Sequence, residues 1–184
     1  MTGAPSRQAA SPAQRETVLQ GQARVTIDPG VEFTTVLGSC VAACLFDPSV
    51  GAGGMNHFLL SEPRQSNTGK RCVDEHYGAY LMELLINQML KLGATRSGIR
   101  AHLYGGANLR AGMKEIGTLN AQFARDFLER ERIQLVHTDL GGTAARRVDF
   151  QPVRGRARCR AVQDAPPPPP RIVAPAPRGD VEFF

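Results

Sequence analysis

The sequence predicts an α+β domain, and three observations carry that expectation. Short apolar or alternating runs, bounded by Gly, Pro, Asn or Asp, recur along most of the chain as β-strands do. Helical spacing of apolar residues is confined to a stretch near 75–92 and another after Asn120. These helices do not alternate regularly with the strands, which argues against a doubly wound parallel sheet.

Residues 1–22, rich in Ala, Ser, Gln and Pro, read as a disordered N-terminal arm. Residues 23–27 are the first strand, Asp28-Pro29-Gly30 turns the chain, and residues 31–37 return as the second. Residues 40–46 alternate two apolar faces and stop at Asp47-Pro48, a length that suits a buried strand better than a helix. A glycine-rich turn over 51–54 leads into residues 55–60, which can pair with that strand as a hairpin. Asp74 is the expected cap of a helix over 75–92, where Tyr77, Leu81, Leu84, Leu85 and Met89 repeat and Gly93 ends the pattern. Residues 99–104 form a strand closed by Gly105-Gly106, and Asn120 opens a second helix with Phe123 and Phe127 on one face. Residues 133–138, 147–153 and 156–162 are further strands, the last two joined at Gly155. The folded domain spans 23–163. Residues 164–184 read as a Pro-rich disordered tail, polyproline-like at 166–170.

Composition narrows the classes of function. The net charge of +5 and a pI near 9.4 favour an acidic partner. No apolar run is long enough to span a bilayer, and the first twenty residues lack the apolar core of a secretory signal. The expectation is a cytoplasmic protein without membrane insertion, whose four cysteines are free thiols. Zero Trp and 6% aromatics argue against a base-stacking platform, so no nucleic-acid partner is expected.

The chemistry concentrates between Thr34 and Glu62. Cys40 follows a Gly-Ser turn and His57 follows Gly-Gly-Met-Asn, each at the mouth of an apolar run. A thiol nucleophile needs an open approach, and its general base needs a rigid neighbouring element. Gly38 and Ser39 allow close backbone approach, and the N–H groups of this turn are candidates for an oxyanion hole. Cys44 reads as core filling on the face of Cys40, while Cys72 and Cys159 have no evident partner. The paired short spacings of a zinc site are missing, and no metal or other cofactor is expected. His76, His102 and His137 read as structural or surface residues.

The run LGSCVAACLFDP followed by GGMNHFLL resembles the CheD-type chemoreceptor glutamine deamidases. Tyr77-Gly78, Tyr104-Gly105-Gly106-Ala107, Ile116-Gly117 and Asp139-Leu140-Gly141-Gly142 extend the likeness over roughly residues 23–162. The chain departs from the family after the late Gly-Gly, where Gly142-Thr143-Ala144-Ala145-Arg146-Arg147 replaces a usual Gly-Arg pair. The resemblance implies two packed mixed β-sheets with flanking helices, like the cysteine-hydrolase fold of deamidating bacterial toxins. It also implies hydrolysis of receptor glutamine side chains to glutamate, with Cys40 as nucleophile, His57 as base and Thr34 holding the imidazole. Thr35 is the rival for that last role. A side activity on glutamyl methyl esters would use the same thioester. The implied partners are the cytoplasmic domains of chemoreceptors and a CheC-type phosphatase. An adaptor that docks on such partners, with catalysis secondary, is the alternative function.

Arg156, Arg158 and Arg160 alternate with Ala157 and Cys159, which on a strand sends three guanidiniums to one face. They are either a solvated strand face or a docking stripe for an acidic helix bundle.

Overall fold

The computed structural model describes residues 14–60, 64–65, 71–72, 75–109 and 114–162. In chain order the strands are β1 (Gln14–Thr17), β2 (Gln22–Thr26), β3 (Val31–Leu37), β4 (Val41–Asp47), β5 (Ala52–His57), β6 (Arg64–Gln65) and β7 (Arg71–Cys72). Helix α1 (His76–Lys91), β8 (Arg100–Gly105), α2 (Lys114–Arg130), β9 (Gln134–Leu140), β10 (Ala145–Gln151) and β11 (Arg156–Val162) follow. One sheet has the order β1-β3-β10-β11, another the order β2-β5-β4-β8-β9, and β6 and β7 form a small ribbon. The expected α+β class with two mixed sheets and helices holds.

Strand alternation builds two core layers. The even-numbered β4 residues Ala42, Cys44 and Phe46 join Phe33, Leu37, Met55, Val148 and Phe150 between the sheets. Val41, Ala43 and Leu45 face the other way, onto Leu81, Leu85, Met89 and Phe123 of the helices. With both faces covered, every residue of β4 is buried. The expected hairpin is present, with Cys44 opposite Met55 and Leu45 opposite Gly54. So is the β10–β11 pair, which turns through Pro152–Arg154 and Gly155 at φ 59°.

Several expectations need correction. The N-terminal arm is not disordered as far as residue 22: Gln14–Thr17 pairs in parallel with β3, and Val18 is fully buried in the inter-sheet layer. The signal was hidden because a polar QRET segment shows no apolar alternation. Residues 1–13 and the tail from 163 lie outside the described residues, as does Asp74; α1 begins after Glu75 with no side-chain cap. Gly53 and Gly54 belong to strand β5 rather than to a turn, because Pro152 packs its carbonyl where a Gly53 Cβ would stand. Tyr77 is on the exposed side of α1. Asn120 does not open α2 but lies inside it, fully buried.

Three connections cross between the sheets at the same end of the sandwich: β1 to β2, β3 to β4, and β9 to β10. The segment after β8 ties them together. Gly106 N–H donates to Cys40 C=O at 2.7 Å, Ala107 N–H to Gly38 C=O at 2.8 Å, and Asn108 N–H to Gly142 C=O at 2.8 Å. Gly105, at φ 109°, must be glycine here, because a Cβ would collide with the Cys40 carbonyl oxygen. Arg146 clamps the third connection from inside, donating to the Asp139 carboxylate at 2.7 Å and to the Gly141 carbonyl. The sequence from Gly142 to Arg147 therefore supplies its own arginine to hold this loop.

Candidate active site

Cys40 and His57 both lie at this end of the molecule. Cys40 ends the β3–β4 crossing and is partly exposed; His57 is the last residue of β5 and is 6% exposed. Val41 and Phe58 exchange backbone hydrogen bonds of 2.9 Å in an isolated bridge. That register places Ala42 opposite His57, so Cys40 is its diagonal neighbour on the same face, about 7–8 Å away between Cα atoms. Cys44 shares that face, fully buried.

The turn that carries Cys40 is held in place because each of its carbonyls has a partner. Gly38 and Cys40 accept from the segment after β8, and Ser39 C=O accepts from Asn120 Nδ2 at 2.9 Å. The Oδ1 of the same amide accepts Leu60 N–H at 2.7 Å, so one buried side chain spans the turn before Cys40 and the chain after His57. Asn56 fixes the other side, accepting Ala43 N–H at 2.8 Å and donating to the Leu81 carbonyl at 3.2 Å. Gly38 and Ser39, the turn candidates, directly precede Cys40, and the Ser39 N–H has no acceptor among the described residues.

Thr34 is not the residue that meets the ring. Its Oγ1 donates to Asp149 Oδ1 at 2.8 Å on the outer face of the four-stranded sheet. Thr35, one residue on and therefore on the inner face, places Oγ1 2.9 Å from His57 Nδ1. The tautomer then follows from proton counting. The Thr35 hydroxyl proton goes to the Val18 carbonyl at 2.7 Å, so its oxygen can only accept from Nδ1–H. The lone pair is left on Nε2, which is buried without a hydrogen-bond partner among the described residues.

Both groups rest un-ionised. Burial pushes the Cys40 thiol up to about 11, opposed only in part by its own backbone N–H. Burial also pushes His57 down to about 4, with the Val18 carbonyl acting weakly the other way. For Asp149, burial raises the carboxyl, but the hydrogen bonds from Thr34 and Arg160 and the nearby Arg charges outweigh it and hold it below its ordinary value.

Thr35, Asn120 and the connection from Val18 to Gly21 complete this site, yet none carries a motif. Thr35 could be found only by knowing which strand face is inside, and Asn120 only from a polar residue placed among apolar helix positions. Among the described residues no group of three or more His, Cys, Asp or Glu could hold a metal ion. Among the described residues no helix is long and apolar enough to cross a membrane. On β11, Arg156, Arg158 and Arg160 are exposed while Ala157 and Cys159 are half-buried, as alternation requires.

A two-sheet α+β domain that presents a partly open thiol and a lone-pair imidazole on one strand face has the layout of a cysteine-dependent hydrolase. A family model described as "CheD chemotactic sensory transduction" matches residues 59–161. The "Probable chemoreceptor glutamine deamidase CheD" of Zymomonas mobilis is 52% identical over 93% of this chain and 93% of its own length. A protein of the same description from a Caulobacter species is 46% identical over 100% of both chains. The chain belongs to the CheD family. A solved structure, the hypothetical protein YfiH of Bacillus licheniformis, aligns at TM-score 0.45 with 13% identity, covering 66% of this chain and 51% of that one.

Proposed function

We propose that this protein hydrolyses glutamine side chains on the cytoplasmic domains of chemoreceptors to glutamate, acting in the cytoplasm through a cysteine thioester. The observation that carries the reading is the His57 ring, held by Thr35 at Nδ1 and bare at Nε2, on the same face as Cys40. Family membership supplies the substrate class, since the relatives are described as chemoreceptor glutamine deamidases.

Each step has a residue. Nε2 takes the Cys40 proton as the sulfur attacks the amide carbon, and the oxyanion forms beside the Ser39 and Cys40 N–H groups. Imidazolium returns the proton to the amide nitrogen, the carbon–nitrogen bond breaks and ammonia leaves. Neutral His57 then draws a proton from water, which opens the thioester to glutamate and restores the thiol. Thr35 steadies the ring while it is charged. Peptide mass spectrometry of receptor cytoplasmic fragments incubated with the protein tests this reading. Unchanged glutamines alongside an intact, folded protein would reject it.

The two threonines separate cleanly. Thr35→Val should lower kcat about tenfold to hundredfold, the worth of a hydrogen bond to a charged ring. Thr34→Val should leave kcat near wild type and cost about 1 kcal/mol in stability, because Asp149 loses a donor. The reverse pattern would return the ring-holding role to Thr34.

The arginine stripe is the proposed docking surface for the acidic flank of a receptor helix bundle. Arg160 pairs with Asp149 at 2.7 Å, whereas Arg156 and Arg158 have no ion pair among the described residues. A CheC-type phosphatase is the other implied partner of such a surface. Changing Arg156 and Arg158 together to Glu should slow deamidation of receptor fragments steeply at low salt and little at high salt. Equal losses at both salt levels would count against docking.

A further inference from the structure

A glutamine already lies against the candidate nucleophile. Gln20 places Oε1 3.5 Å from Cys40 Sγ, with the thiol as donor. It belongs to the β1–β2 crossing, which straps over the site and is fastened to His57. Gly21 N–H donates to His57 C=O at 2.8 Å, and Val18 C=O accepts from Thr35 while lying 3.5 Å from His57 Nδ1. The strap turns at Gly21, with φ 85° and the Tyr77 hydroxyl standing where a Cβ would be. The Gln20 side chain itself is exposed, and the thiol is its hydrogen-bond partner among the described residues.

We propose that Gln20 is an internal occupant of the substrate-amide position, held in an unreactive pose that an incoming glutamine must displace. The proposal rests on the glutamine-deamidase reading above. Three features make the occupant specific and unreactive. Its functional group is the amide that the reaction consumes, delivered by a strap anchored on the general base. The sulfur faces the amide oxygen rather than the carbon, so attack is not aligned. The thiol donates its proton to Gln20, whereas Nε2, which must receive it, has no hydrogen-bond partner among the described residues. Because the backbone is fastened and the side chain is exposed, rotation of one side chain clears the position without unfolding the strap. The fraction of molecules with Gln20 swung out then scales the apparent affinity for receptor glutamine.

The test compares the full-length wild-type protein with Gln20→Ala and with Gln20→Met, which keeps bulk but removes the amide acceptor. Iodoacetamide labelling is followed at Cys40 by peptide mapping at neutral pH, with Cys40→Ala as the control for label position. Both variants should label about threefold to tenfold faster than wild type. With a receptor fragment as substrate, both should show a lower KM and a kcat equal to or above wild type. Unchanged labelling rates would overturn the proposal, as would a fall in kcat at constant KM, which would make Gln20 part of the catalytic machinery. Cys40-dependent conversion of Gln20 to Glu in the wild-type protein would also overturn it, since the pose would then be productive. Labelling does not need a receptor substrate. A protein that fails to deamidate receptors but labels faster without Gln20 would reject the functional reading and keep the contact.

Discussion

Cys40→Ala is expected to reduce glutamine conversion by about 10³-fold or more, with the melting temperature close to wild type. The side chain is partly exposed at the end of a crossing held by backbone and Asn120 contacts, so little packing is lost with the sulfur. His57→Ala should cost about 10²–10⁴-fold, the usual worth of positioned acid–base catalysis. The double variant should be no worse than Cys40→Ala alone, because a nucleophile and its base act as one unit. Initial rates on a receptor fragment, read as glutamate formed per enzyme, decide the matter. Normal turnover by purified Cys40→Ala would remove the thiol from the mechanism.

Acid should destabilise the protein well above the carboxylate range, and His57 should be a principal cause. Its ordinary value of 6.5 falls to about 4 in the folded protein because the buried ring resists charge. Between those values the unfolded chain binds the proton and the folded chain does not, so stability falls as pH drops from 6.5 through 4. The full gap is worth about 3 kcal/mol. His102, lowered from 6.5 first by burial and then by the charge of His137, acts in the same direction. Asp47 and Asp149 are held below their ordinary value of 3.8 and lose their contributions only in stronger acid. Urea unfolding from pH 7 to pH 4 should therefore show a steep loss in the wild type and a shallower one in His57→Asn. Identical slopes for the two proteins would mean that His57 is not held neutral by burial.

Much of this protein was legible without coordinates. Most strands, the β4–β5 hairpin and the turn at Gly155 follow from local rules of period-two alternation and turn residues, and the proposed pair Cys40–His57 stands out as side chains placed at strand mouths. Those signals are short-range, so a linear reading captures them. The polar strand β1 was not legible, because its place depends on parallel pairing with β3 across the chain and on Val18 entering a core built mainly by other strands. Neither was Asn120, whose two partners lie beside Ser39 and Leu60, far from it in sequence. Thr34 and Thr35 make the division sharpest. Adjacent strand residues point to opposite faces, and only the packing of the two sheets decides which face holds His57 and which holds Asp149. The sequence by itself determined the class of fold and singled out the proposed pair Cys40 and His57. The tertiary structure alone decided which neighbours hold the ring, bridge the turn and cover the sulfur, because those contacts join segments that local patterning cannot bring together.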